Sequence, residues 1–243
     1  MGTVNVLEAA RKEASVRTIV VVTSDKVYDN VEWDWDYRES DRLGGREPYG
    51  VSKACAELVI DAYRHSFLAE RKVGIASVRA GNIIGGGDWA SERLVPDMVR
   101  AFSEGNALVI RSPSATRPWQ HVLEPLRGYL SLAERLHVEP AQYGGGWNFG
   151  PSRDDHKPVS WIVDRCVELW GEGARWELEG AAQPYEAHRL GVTFAKAELR
   201  LGWRPYWRIE AALERTVTWY RAMLAGQDML AATVADVRQV ISA

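Results

Sequence analysis

Only two cysteines occur in 243 residues, Cys55 and Cys166. They stand far apart, with no Cys-x-x-Cys and no Cys/His pairing at ligand spacing, so neither a disulfide framework nor a zinc or other metal site is expected. A reducing cytoplasm suits such a chain, and both thiols read as buried apolar residues. No apolar run is long enough to span a bilayer, and the residues after Met1 are amphipathic and charged rather than the apolar core of a signal peptide. No membrane partner is therefore expected. The net charge of −3 gives no broad basic field for nucleic acid, so an anionic ligand has to be held by a few local Arg or Lys side chains. Internal repeats and low-complexity linkers are also lacking. What is present, 46% hydrophobic and 26% charged residues, is a globular composition able to bury a core in one or two domains. The load of 11 tryptophans is unusual, but Trp161, Trp170, Trp203 and Trp219 fall in apolar-periodic segments and read as packing residues.

Hydrophobic spacing predicts a helix over residues 4–13, followed by a continuous β-branched run at 18–23. The pattern repeats as a helix from about 48 to 71, a strand at 73–79 and a Gly-rich loop at 81–88. Helices feeding fully buried strands define a doubly wound α/β arrangement, a parallel sheet covered on both faces. Beyond it the spacing predicts helices at 94–104, 126–136, 160–170, 194–201 and 209–225, and a tail helix over 227–243. Short strands are expected at 107–111, within 144–150 and around 175–179, with a polar loop at 181–190. Doubly wound nucleotide folds place a strand and a Gly-rich turn where the pyrophosphate binds. The only Gly cluster that could be mistaken for that turn, Gly81-Asn-Ile-Ile-Gly-Gly-Gly87, follows a late strand and has the wrong spacing for it.

Two polar groupings carry chemistry. Tyr49-Gly-Val-Ser-Lys53 opens a predicted helix, which puts both side chains on one face, a turn apart. An ammonium there stabilises a phenolate, the form of tyrosine that takes up a proton, and can also hold a ribose hydroxyl. The apolar strand at 18–23 ends in Thr23-Ser24-Asp25-Lys26. That places hydroxyl, carboxylate and amine at the C-terminal edge of a parallel strand, where open α/β sheets build their sites. Taken alone, each grouping also reads as solvated helix residues or an ordinary strand exit.

Together with Val27-Tyr28, Pro48-Tyr49-Gly-Val-Ser-Lys53, Arg79-Ala-Gly-Asn82-Ile-Ile-Gly-Gly-Gly87-Asp-Trp89 and Arg117-Pro-Trp-Gln-His121-Val-Leu-Glu-Pro125, these residues resemble the extended short-chain dehydrogenases. Within that NAD-dependent epimerase/dehydratase family the likeness is to dehydratases of CDP-hexoses, and it runs from Met1 almost to Ala243. The dTDP-sugar dehydratases have Thr-Asp-Glu where this chain has Ser24-Asp25-Lys26, and they lack the Gly-Gly-Gly-Asp-Trp run. The resemblance implies a partial Rossmann-like sheet with a smaller C-terminal α/β substrate lobe. Residues 1–90 would carry the later part of the NAD-binding domain, and 91–243 mainly the sugar-nucleotide lobe, with segments around 107–150 returning to the first domain.

The implied reaction is conversion of CDP-D-glucose to its 4-keto-6-deoxy product through tightly bound NAD. Catalysis would fall to Ser24, Asp25, Lys26, Tyr49 and Lys53, cofactor contacts to Tyr49, Lys53 and Arg79, and substrate contacts to Asn82, Arg117, Asn148 and Arg111. His121 and His188 read as hydrogen-bonded structural residues. A homodimer built on the helices at 4–13 and 48–71 is also implied. Because the chain opens on a helix and the family places a Gly-rich section ahead of it, an N-terminal truncation with weak NAD binding is expected. A UDP-sugar 4-epimerase and a non-catalytic nucleotide-sugar-binding remnant remain the competing readings.

Overall fold

The computed structural model describes residues 1–171, 173–180 and 187–241. In chain order its elements are α1 (Gly2–Lys12), β1 (Thr18–Val22), α2 (Pro48–Tyr63), β2 (Gly74–Arg79), β3 (Asn82–Ile84), α3 (Leu94–Ser103), β4 (Leu108–Ile110), β5 (Thr116–His121), α4 (Leu123–Val138), α5 (Pro140–Tyr143), β6 (Gly145–Asn148), β7 (His156–Pro158), α6 (Val159–Trp170), β8 (Trp176–Leu178), α7 (Ala195–Leu201), α8 (Ile209–Leu224) and α9 (Met229–Ile241). The helix expected over 48–71 ends as an α-helix at Tyr63 and continues as a π-helical turn, Arg64–Leu68. Of the expected polar loop at 181–190, residues 181–186 lie outside the described residues, as do residues 242–243 of the tail helix.

Two units are woven from alternating stretches of chain. The first comprises Met1–Gly81, Pro125–Gly150 and Leu190–Arg204; the second comprises Asn82–Glu124, Pro151–Arg189 and Pro205–Ala243. The return to the first unit thus begins at Pro125, and residues 107–124, expected to rejoin it, belong to the second.

The first unit holds a parallel sheet in the order β1-β2-β6, with Val22 opposite Val78 and Arg79 opposite Asn148. Successive side chains of a strand point to opposite faces. Ile75 therefore packs with Leu7 of α1 and Ile60 of α2, while Ala76 and Val78 pack with Leu132 and Leu136 of α4 and with Trp147 and Trp203. This gives the doubly wound arrangement its two apolar layers. Burying both faces removes β2 from solvent along its whole length. β1, expected to be fully buried, is only partly so, and Val22 is 56% exposed. The reason is pairing: β1 is hydrogen-bonded to β2 alone and lies at an edge of the described sheet.

The second unit has two small sheets, β3-β5-β7 and β4-β8. Its core joins Met98 and Phe102 of α3, Trp119 of β5, Ile162 and Cys166 of α6, and Leu213, Val217 and Tyr220 of α8. Burial there pushes the Cys166 thiol up to about 12. Cys55, expected to be buried as well, is exposed. It sits on the side of α2 away from its buried stripe of Gly50, Ala54, Glu57 and Ile60.

Candidate active site

The C-terminal end of β1 turns sharply because Ser24 is extended and its Oγ accepts a hydrogen bond from the Lys26 amide at 3.2 Å. This winds Asp25–Val27 into a single 3-10 turn. Ser24 Oγ donates to Asp25 Oδ1 at 3.1 Å, and the Asp25 amide donates to the Ala80 carbonyl at 3.2 Å, fixing the turn to the chain just after β2. Ser24 and Asp25 are consequently buried, while Lys26 is exposed.

α2 begins where Pro48 fixes the first turn and Glu47 caps it, its carboxylate accepting from the Tyr49 and Gly50 amides at 2.7 Å each. Gly50 lets this end of the helix settle on the turn after β1. A Cβ there would lie 2.7 Å from the Lys26 carbonyl oxygen. The outcome is a tyrosine between two amines: Lys26 Nζ is 5.9 Å and Lys53 Nζ 5.7 Å from the centre of the Tyr49 ring. Tyr49 is 47% exposed and open to a ligand. The first unit thus brings together Ser24, Asp25, Lys26, Tyr49 and Lys53.

Arg79 has a different setting from the cofactor contact expected of it. It is 3% exposed, and its guanidinium meets the Glu57 carboxylate through Nε at 2.9 Å and Nη2 at 2.7 Å, with Nη1 donating to Tyr28 Oη at 2.8 Å. Those hydrogen bonds all run to groups inside the first unit. Burial pushes the Glu57 carboxyl up, but hydrogen bonds and charge from Arg79, helped by Ser77 and Thr23, outweigh it and hold the group below its ordinary value. Asn148, expected to touch substrate, is fully buried. Its Oδ1 accepts from Tyr28 Oη at 2.7 Å and its Nδ2 donates to the Tyr37 carbonyl at 2.9 Å.

The other expected substrate residues belong to the second unit. Asn82 opens β3, partly exposed, opposite Trp119. Arg117 lies buried on β5, with Nη1 donating to the Thr116 carbonyl at 3.0 Å. Arg111 follows β4, exposed, and pairs with Glu179 at 3.2 Å. The Gly-Gly-Gly-Asp-Trp run packs within this unit: a Cβ on Gly86 would lie 2.1 Å from the Trp219 ring, and Tyr220 Oη donates to the Asp88 carbonyl at 2.7 Å. His121 accepts from the Leu123 amide at 3.3 Å and meets Trp207 edge-on at 4.9 Å. Burial, with the nearby Arg215 charge, lowers it to about 4.

Glu57, Tyr37 and Glu39 escape sequence reasoning, although Glu57 stands one helical turn beyond Lys53 on the same face. Tyr129 of α4 escapes it too. Its buried phenol feels the Asp25 charge, and burial first and that charge second push its pKa up.

A Tyr-x-x-x-Lys pair beside a Ser-Asp-Lys turn at the carboxyl edge of a parallel, doubly wound sheet defines a dehydrogenase-type site on a Rossmann-like α/β fold. The chain belongs to the NAD dependent epimerase/dehydratase family, whose model matches residues 1–144. It is 48% identical over 248 residues to CDP-glucose 4,6-dehydratase of Salmonella typhimurium, an alignment that takes in 100% of this chain and 69% of that one. Among solved structures it resembles dTDP-glucose 4,6-dehydratase of Streptomyces venezuelae with NAD bound, at 26% identity and a TM-score of 0.72, covering 93% of this chain and 66% of that one. It also shares its fold with UDP-glucuronic acid 4-epimerase of Bacillus cereus, at 18% identity and a TM-score of 0.76, covering 91% of this chain and 66% of that one.

Proposed function

We propose that this chain serves the conversion of CDP-D-glucose to CDP-4-keto-6-deoxy-D-glucose, a loss of water driven by internal redox on NAD. The observation that carries this is the Ser24-Asp25-Lys26 turn set against Tyr49 and Lys53. Ser, Tyr and Lys suffice for redox at one sugar carbon, whereas elimination of water needs a further base and acid, which Lys26 and Asp25 supply. The identity to the Salmonella dehydratase supports the same reading.

The residues fit the nicotinamide side of NAD: Tyr49 is exposed and Lys53 partly so at the start of α2, placed to hold the ribose. A strand–Gly-rich turn–helix for the pyrophosphate is not among the described residues, since the Gly85–Gly87 run lies after β3 with Gly86 against Trp219. The chemistry that bound NAD supplies is reversible acceptance of hydride. Tyr49 takes the proton of the sugar C4 hydroxyl while Ser24 hydrogen-bonds the same oxygen and Lys53 stabilises the phenolate. The resulting C4 ketone acidifies C5. Lys26 removes the C5 proton and Asp25 gives a proton to the C6 hydroxyl, which leaves as water; the hydride taken from C4 would then return to C6 and the proton on Lys26 to C5, giving the 4-keto-6-deoxy sugar. Asn82 and Arg117 serve the diphosphate, where a permanently charged planar fork suits the oxygens. Arg111 assists from the strand end, and Asn148 and Arg79 act from within the frame.

The test is incubation of CDP-glucose with the chain and NAD, following the ultraviolet absorbance of the 4-keto product and C5 exchange with deuterated water. Tyr49→Phe is expected to abolish both signals, and Lys26→Met to abolish C5 exchange. A C4 epimer as product, or undiminished turnover by Tyr49→Phe, would overturn the assignment. A cytoplasmic homodimer completes the proposal, supported by Val6 of α1 and Val51 and Leu58 of α2, which stand 66%, 44% and 62% exposed. Light scattering should give twice the chain mass for the wild type and a monomer for Leu58→Glu.

A further inference from the structure

We infer that Glu57 is a positioning residue, the clamp that sets the rotation and height of the catalytic helix against the Ser24-Asp25-Lys26 turn. The inference rests on the function proposed above. Tyr49, Lys53 and Glu57 succeed one another at single-turn intervals and so share a face of α2. Tyr49 is exposed and Lys53 partly so at the start of the helix, while Glu57 is 4% exposed. Its burial is arranged from two positions on β2 and one just beyond β1. Alternation along β2 puts Ile75, Ser77 and Arg79 on the face that α2 covers. Ile75 packs there against Ile60, and the two polar residues meet Glu57: Ser77 Oγ donates at 2.6 Å, and Arg79 donates twice. Thr23, which follows β1, donates from its hydroxyl to Glu57 Oε1 at 2.5 Å.

Thr23 is the residue before Ser24. One carboxylate therefore ties the helix that bears the base to the chain that bears the acid, with a single peptide bond separating its anchor from the site. Four donors on two oxygens leave little freedom for the helix to slide or turn. Arg79 extends the clamp: Nη1 reaches Tyr28 Oη, which donates to Asn148, and the Asn148 amide donates to Glu39 Oε1 at 2.9 Å. Tyr28 and Glu39 lie on the connection between Lys26 and Tyr49, so the same network holds both arms of that loop. A helix displaced by about 1 Å at a reacting centre loses about 100-fold in rate, which makes such a clamp worth its buried charges.

The experiment compares Glu57→Gln, Thr23→Val and, as a control, Asp155→Asn, which weakens the pairing of buried Asp155 with half-exposed Arg208 in the second unit (2.8 Å). Each is produced with fluorotyrosine in place of tyrosine, and the Tyr49 fluorine resonance is assigned by its loss in Tyr49→Phe. At a temperature where circular dichroism shows every variant folded, Glu57→Gln and Thr23→Val are expected to shift or broaden the Tyr49 line, and Asp155→Asn to leave it unmoved at an equal loss of Tm. In turnover of CDP-glucose, kcat should fall about 10- to 100-fold for Glu57→Gln and less for Thr23→Val, with KM nearly constant. Should Glu57→Gln fail to fold, Thr23→Val alone decides. An unmoved Tyr49 line in a folded clamp variant would overturn the inference. Absence of turnover by the wild type would instead count against the proposed function and leave the resonance test standing.

Discussion

At Gly50 a single hydrogen stands where any other residue would press a carbon against the Lys26 carbonyl, 2.7 Å away. Gly50→Ala should force α2 off the turn that it rests on, costing about 1–3 kcal/mol of stability; chemical denaturation measures that, and turnover should drop further than stability alone explains. His121 gives a pH signature. Its ordinary value of 6.5 falls to about 4 in the folded chain, so the unfolded chain binds the extra proton more readily. The stability held by neutral His121 is complete above pH 6.5 and drains away as pH falls toward 4. Thermal melts across that interval should show Tm declining with acid, and His121→Gln should flatten the decline. The Ser24-Asp25-Lys26 and Tyr49–Lys53 groupings were legible in sequence because each is local: a strand exit, and two positions a helical turn apart. Glu57 was not, because an acid on a helix reads as solvated until Thr23, Ser77 and Arg79 are known to converge on it from other segments. For the same reason Arg79 and Asn148 read as ligand-facing when their partners lie inside.

At the scale of elements, the long helices were visible from apolar spacing: α3, α6 and α8 were expected within a residue or two of where they form. Of the short strands, β4, β6 and β8 form where they were expected, but β3, β5 and β7 were not foreseen. β3 lies in a Gly-rich run and consists of Asn82–Ile84 alone, so its ladder is a gift of β5, distant in sequence. β5 contains Pro118, which reads as a strand breaker. The structure accommodates it at a junction: residues 116–118 pair antiparallel with β7, and residues 119–121 pair parallel with β3. The loop after β3 is set by contact with α8. Gly86→Ala would place a methyl 2.1 Å from the Trp219 ring and should lower stability by about 1–3 kcal/mol, measurable as a fall in Tm, with Trp219→Ala restoring the room.

For the whole molecule, the function proposed above gives Tyr49 and Lys53 the ribose side of NAD, while the described residues hold no Gly-rich cradle for its phosphates. Equilibrium titration of the 243-residue chain with NAD is accordingly expected to show weak binding. Tight, stoichiometric binding would show that the pyrophosphate is held by another arrangement. The interleaving of the two units also has a consequence for how the protein is made. The first unit closes only with Pro125–Gly150 and Leu190–Arg204, which bring α4, β6 and α7 to a sheet whose first strands were synthesised long before. On the ribosome the Ser24 turn and the Tyr49 helix emerge before β6, so β2 has no neighbour on its β6 side until Gly145–Asn148 have followed. Until then its apolar edge is exposed to chaperones and to other nascent chains.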